Sequence, residues 1–321
     1  MSNGSKVRGQ NQKTEGERKR QMPEYFSVKQ AAERWGVSER SARNYCAQGR
    51  VPGAFITGKT WNIPADAEKP DRKPSANPKK RDLLQVLRDE KDARMPGGIY
   101  HRLQIDITYN SNHIEGSRLT HDQTRLILET RSVGAEDGAV NVDDVIETVH
   151  HFRCIDYVIG TAGKRLTQAY IKRLHGMLKA GTQDAARDWF AVGDYKRLPN
   201  EVGGVATAEP EEVEGRMGEL LSWYEGLDRV GLDEILGFHW RFERIHPFQD
   251  GNGRVGRLIA LKQCLKHGVV PFIITDEIKM YYYRGLSEYA REPGYLRGTA
   301  LTGQDYVKQL LDAFRVPYRE E

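Results

Sequence analysis

The chain has 321 residues, 38% of them hydrophobic and 29% charged, with a formal net charge of +4. That size accommodates one large domain and a small one, and no run reaches the roughly 18 apolar residues that a membrane helix requires. The charge is uneven, with 18 Lys and Arg against 8 Asp and Glu in residues 1–81 and 31 against 37 in the remainder, so a basic head sits on a mildly acidic body and points toward nucleic acid.

Residues 1–22 are polar and basic with no apolar core of a secretory signal, and are expected to be a disordered tail. Residues 23–68 read as a compact unit. Ser27 caps a helix from Val28 to Trp35, Gly36-Val37 makes a turn, and Ser38 caps a second helix through about Gln48. Phe55-Ile56 and Trp61-Asn-Ile63 read as the short strands of a wing. Arg40, Arg43 and Asn44 lie on the second helix, where a recognition helix carries its base and phosphate contacts. From Tyr25 to about Glu68, including Arg50-Val-Pro-Gly-Ala and Trp61-Asn-Ile-Pro, the sequence resembles the winged helix-turn-helix of MerR- and excisionase-type proteins. That resemblance implies DNA as a partner; a protein-docking module is the alternative.

Residues 69–82 form a connector rich in proline and lysine. Residues 83–321 are helical in pattern, with apolar periodicity through Leu83–Leu87, Thr120–Leu128, Val142–Ile159, Ala169–Leu178, Val213–Leu227 and Leu232–Phe242. Trp189–Tyr195 and then Leu198–Thr207, rich in glycine and β-formers, read as a hairpin. The expected fold class is mainly α: a helical body with one small β element, behind the N-terminal unit. Cys46, Cys154 and Cys264 are scattered without C-x-x-C spacing, which argues for reduced thiols in a cytoplasm and against disulfides or a cysteine zinc site.

The chemistry concentrates in His246-Pro-Phe-Gln-Asp250-Gly-Asn-Gly-Arg254-Val-Gly-Arg257. Pro247 stops a helix and leaves His246 at its end. A glycine-containing loop then feeds a second helix near Arg254, an arrangement that binds anions. Arg254 and Arg257, three residues apart, can face one phosphate chain. Asp250 suits Mg²⁺ held against phosphate oxygens, and His246 suits a general base. His239, His246 and Asp250 could imitate a transition-metal site, but they lack a third firm ligand and stand beside two arginines.

This run resembles the Fic (Fido) signature, His-Pro-Phe-x-(Asp/Glu)-Gly-Asn-Gly-Arg-x-x-Arg, at every specified position, and the resemblance extends over about residues 83–300. It implies a protein adenylyltransferase that moves AMP from ATP, with Mg²⁺, onto a hydroxyl of a target protein, itself included. His246 is then the base and Asp250 the metal ligand. Gly251, Asn252 and Gly253 form the anion cradle, with Arg254 on the β-phosphate and Arg257 on the γ-phosphate. The Leu198–Thr207 hairpin resembles the family's target-clamping flap, and Tyr282 and Tyr283 its adenine-side aromatics. The polar residue expected just after them is not evident at Tyr289-Ala290-Arg291.

Ser111-Asn-His-Ile-Glu115-Gly116 resembles the family's inhibitory motif, on a helix expected around residues 104–116. A carboxylate near Arg257 would take the γ-phosphate's place, so the resting enzyme is expected to be off. The intact Gly-Asn-Gly core favours AMP over phosphate transfer. Two alternatives stand beside this reading: a DNA-binding regulator whose body only senses ATP, and an enzyme that both adds and removes AMP. The sequence leaves the oligomeric state, a homodimer among the options, open.

Overall fold

In the computed structural model, residues 25–70, 82–134 and 139–319 are described. The tail expected at 1–22 lies outside them, as does most of the connector at 69–82. The described chain is mainly helical.

The N-terminal unit opens with β1 (Tyr25–Phe26), followed by α1 (Val28–Trp35) and α2 (Glu39–Ala47). Both caps form as expected: Ser27 makes a capping box with Gln30, and the Ser38 side chain accepts from the Ser41 N–H. Gly36, at φ 63, ends α1 in the left-handed conformation that glycine adopts without strain. β2 (Phe55–Thr57) and β3 (Thr60–Pro64) form a hairpin, and β1 pairs antiparallel with β3 to give the order β1-β3-β2. Ala31, Trp35, Ala42, Tyr45 and Ile63 fill this unit's own small core.

The body begins with α3 (Leu83–Asp92), α4 (Ile99–Ile114), α5 (His121–Thr130), α6 (Val142–Thr161) and α7 (Gln168–Lys179). A short hairpin follows, β4 (Glu201–Val202) and β5 (Val205–Ala206). Gly203 and Gly204, both at positive φ, make its turn. Trp189–Tyr195, read as part of this hairpin, forms no strand. Its Phe190 and Tyr195 are buried instead, and packing of these aromatics replaces strand pairing. Then come α8 (Pro210–Glu225), α9 (Leu232–Ile245), α10 (Asn252–His267), α11 (Lys279–Glu288) and α12 (Gly294–Ala313). The main core runs through α3, α6, α7, α9 and α10, with Phe242, Phe248, Leu174 and Val255 fully buried. Each such side chain contributes roughly 1.5–3 kcal/mol. Cys46, Cys154 and Cys264 are free and buried. No helix among the described residues is long and apolar enough to cross a membrane.

The two units meet on α2. Arg40, Arg43 and Asn44 were expected to face DNA, but all three are buried. Arg43 Nε lies 2.8 Å from Asp305 Oδ2 of α12 and its guanidinium donates to Thr302 at 2.8 Å, while Lys308 donates to the Asn44 amide oxygen. Gln48 bonds Tyr318 at 2.5 Å, and Lys59, at the hairpin tip, sits 3.6 Å over the Tyr281 ring. Their burial has a physical reason. α12 offers Asp305, Thr302 and Lys308, and Arg43 and Asn44 of α2 bond to them.

Candidate active site

α9 runs straight into the site. His246 caps it at φ 51, ψ 62, a left-handed conformation that a non-glycine residue adopts at a cost of roughly 1–2 kcal/mol. Pro247 forbids a further helical turn. The strain is held by packing: Phe248 is fully buried, stacked on His175 with centroids 4.1 Å apart and flanked by Tyr195 and Phe242. Burial lowers His246 to about 4, with the Glu243 backbone opposing and Lys196 reinforcing the shift, so its imidazole is neutral at physiological pH. Nδ1 lies 3.9 Å from Glu243 Oε2. Burial pushes the Glu243 carboxyl itself up to about 8.

The loop closes on Asn252, whose side chain accepts from the Phe248 N–H at 2.8 Å and donates to the Phe248 carbonyl at 2.7 Å. That side chain therefore shapes the loop and faces inward rather than toward a ligand. α10 starts at Asn252, two residues earlier than expected. Its N-cap, Gly251 at φ 81, supplies no side-chain cap, so the first-turn N–H groups are left for an anion. A Cβ on Gly253 would stand 2.3 Å from Glu115 Oε1 and 2.9 Å from an Arg257 nitrogen. Glycine at 253 is what lets a carboxylate lie against this helix turn.

That carboxylate is Glu115, at the end of α4, where Gly116 (φ 95) turns the chain away. Glu115 Oε1 accepts from Arg257 at 2.7 Å, and Arg257 also donates to the Ser111 hydroxyl at 3.0 Å and the Ser111 carbonyl at 2.9 Å. The helix expected around 104–116 thus brings Ser111, Glu115 and Arg257 together.

Asp250 Oδ2 lies 3.2 Å from Arg254 and 2.7 Å from Lys179 Nζ. Burial alone would raise its carboxyl; Arg254 and Lys179 outweigh that and hold it at about 2. Its side chain is 46% exposed, opening into the mouth. Among the described residues no group of three His, Cys, Asp or Glu is placed to hold a metal. A hard cation at Asp250 would complete its shell with phosphate and water oxygens, the usual arrangement for Mg²⁺ on a nucleotide, and one ionised carboxylate fits that.

Tyr282 and Tyr283 separate. Tyr282, expected beside the nucleotide, is buried with its hydroxyl 2.7 Å from His239 Nε2. Tyr283 is 43% exposed and donates to the Ile114 carbonyl in the last turn of α4. Helical spacing explains the split, since consecutive residues point about 100° apart and only one can face the cleft.

Three functional candidates escaped sequence reading. Lys196 is buried, donates at 2.6 Å to Asn200 and to Thr207, and its N–H bonds the Pro247 carbonyl at 2.9 Å, tying the β4–β5 base to the His246 loop. Glu147 and Lys179 flank Asp250 and Arg254 from behind. A signal for Lys179 existed: Ile171, Leu174, His175 and Leu178 make a buried stripe on α7, and Lys179 continues it where an apolar residue belongs.

Fold and site together give a helical domain with a helix N-terminus that lacks a side-chain cap, a neutral histidine beside it and a carboxylate on Arg257. The chain matches the Fic/DOC family over residues 165–264, from the start of α7 through most of α10. It is 28% identical over 223 residues to the protein adenylyltransferase Fic of Drosophila mojavensis, covering 67% of this chain and 42% of that one. With the Aedes aegypti protein of the same name it is 28% identical over 214 residues, covering 64% and 40%. The chain therefore spans about two fifths of these curated relatives. Among solved structures, a Fic domain containing signaling protein from Bacteroides thetaiotaomicron superposes with TM-score 0.54 at 27% identity, over 72% of this chain and 92% of that one. Fic-1 from C. elegans (residues 134–508) shares the fold at TM-score 0.56 and 19% identity, over 72% of each.

Proposed function

We propose that this protein is an autoinhibited adenylyltransferase that moves AMP from ATP to a protein hydroxyl. The observation that carries the reading is the Glu115–Arg257 contact, made over Gly253 at an otherwise uncapped helix N-terminus beside His246.

The target hydroxyl gives its proton to neutral His246 as its oxygen attacks the α-phosphorus. The bond from that phosphorus to the bridging oxygen of the β-phosphate breaks, and pyrophosphate leaves with the electron pair. His246 is kept unprotonated by burial, so it is ready across the neutral range. First-turn N–H groups of α10 and the Arg254 guanidinium hold the phosphates. A Mg²⁺ at Asp250 would neutralise charge building on the leaving pyrophosphate. Exposed Leu198, Val202 and Val205 on the β4–β5 segment offer an edge along which an extended target strand can add.

Glu115 acts on this geometry in two ways. It neutralises Arg257, and its carboxylate stands at the cradle where a terminal phosphate would sit. ATP bound beside it is forced out of line for attack. A DNA-binding role for the basic N-terminal unit is proposed only for an undocked state, since Arg43 and Asn44 are committed to α12 in the docked one.

Incubation of the full chain with labelled ATP and Mg²⁺ tests the reading. Weak protein labelling is expected for wild type, strong labelling for Glu115→Gly, and none for Glu115→Gly/His246→Ala. Equal labelling in all three would sink it.

A further inference from the structure

Four charged side chains behind the site close into a ring of alternating sign. Glu147 on α6 accepts from Lys179 Nζ at 2.5 Å through Oε1 and from Arg254 through Oε2. Asp250 Oδ2 completes the ring, 2.7 Å from Lys179 and 3.2 Å from Arg254. Asp184 adds a longer contact to Lys179 at 3.4 Å. Lys179 is 3% exposed and Arg254 5%, against 46% for Asp250, the most exposed member of the ring. Neither Glu147 nor Lys179 is placed to touch the reacting atoms.

Two cations and two carboxylates make the ring formally neutral. In a buried setting a charge removed from one member is felt strongly by the others. Both Lys179 and Arg254 are shared between the two carboxylates. Each interaction that Glu147 makes is one drawn partly away from Asp250, and the Lys179 ammonium already occupies Asp250 Oδ2.

We propose that Glu147 and Lys179 are positioning residues that set how strongly Asp250 holds a divalent cation and how Arg254 is presented to phosphate. This rests on the nucleotide-transfer reading above. Neutralising Glu147 leaves the ring at +1, turns both cations onto Asp250 and weakens its grip on the metal. Neutralising Lys179 leaves the ring at −1 and tightens that grip. A scaffolding role alone would push both changes the same way.

The test uses the full chain carrying Glu115→Gly, a fluorescent ATP analogue and a Mg²⁺ titration read by anisotropy. Glu147→Gln should raise the Mg²⁺ concentration for half-maximal binding by about tenfold, and Lys179→Met should lower it several-fold. The double variant, neutral again, should return near the parent. If Lys179→Met does not fold, Lys179→Gln, neutral but still able to donate a hydrogen bond, replaces it with the same expected fall. Shifts of the two single variants in one direction, or no shift, overturn the proposal. Failure of the parent itself to bind the analogue overturns the nucleotide reading, and this proposal with it.

Discussion

Two helix–turn–helix segments of this chain place basic residues early in their second helix, and they use them in opposite ways. In α9–α10, Arg254 and Arg257 pair with carboxylates around the His246 loop, Arg254 with Glu147 and Asp250 and Arg257 with Glu115; in α1–α2, Arg43 and Asn44 are committed to contacts with α12. The difference lies in how each helix begins. Ser38 caps α2 with its own hydroxyl, leaving that helix end satisfied. Gly251 gives α10 no side-chain cap, and the Glu115 carboxylate set against its first turn comes from another helix. An uncapped glycine start advertises a ligand, whereas a serine-capped start with the same basic residues does not.

Substitutions in the two regions should therefore differ in kind. The largest effect is expected for His246→Ala in the Glu115→Gly background, a fall in transfer of roughly 10²–10⁴-fold, with the thermal midpoint little changed. Glu115→Gly should come next, raising transfer about 10–100-fold by releasing Arg257, read as initial rate of labelling. Asp305→Ala should do the reverse of His246→Ala. It leaves Arg43 and Lys308 buried without their shared carboxylate, costing roughly 3–5 kcal/mol in denaturant unfolding while transfer persists. If DNA binding belongs to the undocked unit, the same variant should gain salt-sensitive retardation of duplex DNA. The smallest effect is expected at the hairpin tip, where Lys59→Ala should cost about 0.5–1 kcal/mol through the lost contact with Tyr281.

A pH series separates the regions again. His151, His175, His239 and His246 are all held below the ordinary histidine value by burial, to between about 3 and 4. Their stabilising effect is complete above the unfolded value near 6.5 and is lost as pH falls from there toward the folded values. Stability should start to decline below about pH 6.5, while the acid limb of transfer set by His246 lies nearer pH 4. An acid limb near 6.5 would show a solvated histidine and contradict the buried base.

Most helices and the loop from His246 to Asn252 were legible because the signals for them are local. Apolar periodicity, Ser27 and Ser38 as caps, and Pro247 after His246 each act within a few residues. Ser111–Gly116 was legible for the same reason, as a short motif on one helix end. What escaped depends on long-range partners. Nothing near Arg43 in the chain signals Asp305, and Glu147 gives no local sign of Lys179 and Arg254. Tyr282 and Tyr283 could not be told apart until the axis of α11 fixed which one faces inward.

On the proposed function, AMP rather than phosphate leaves ATP for a protein. Full-length Glu115→Gly protein supplied with Mg²⁺ and either α-labelled or γ-labelled ATP tests it most directly. Protein-bound label from the α position alone, lost with His246→Ala, is the predicted result. Label arriving from the γ position, or α-label unaffected by His246→Ala, would contradict it.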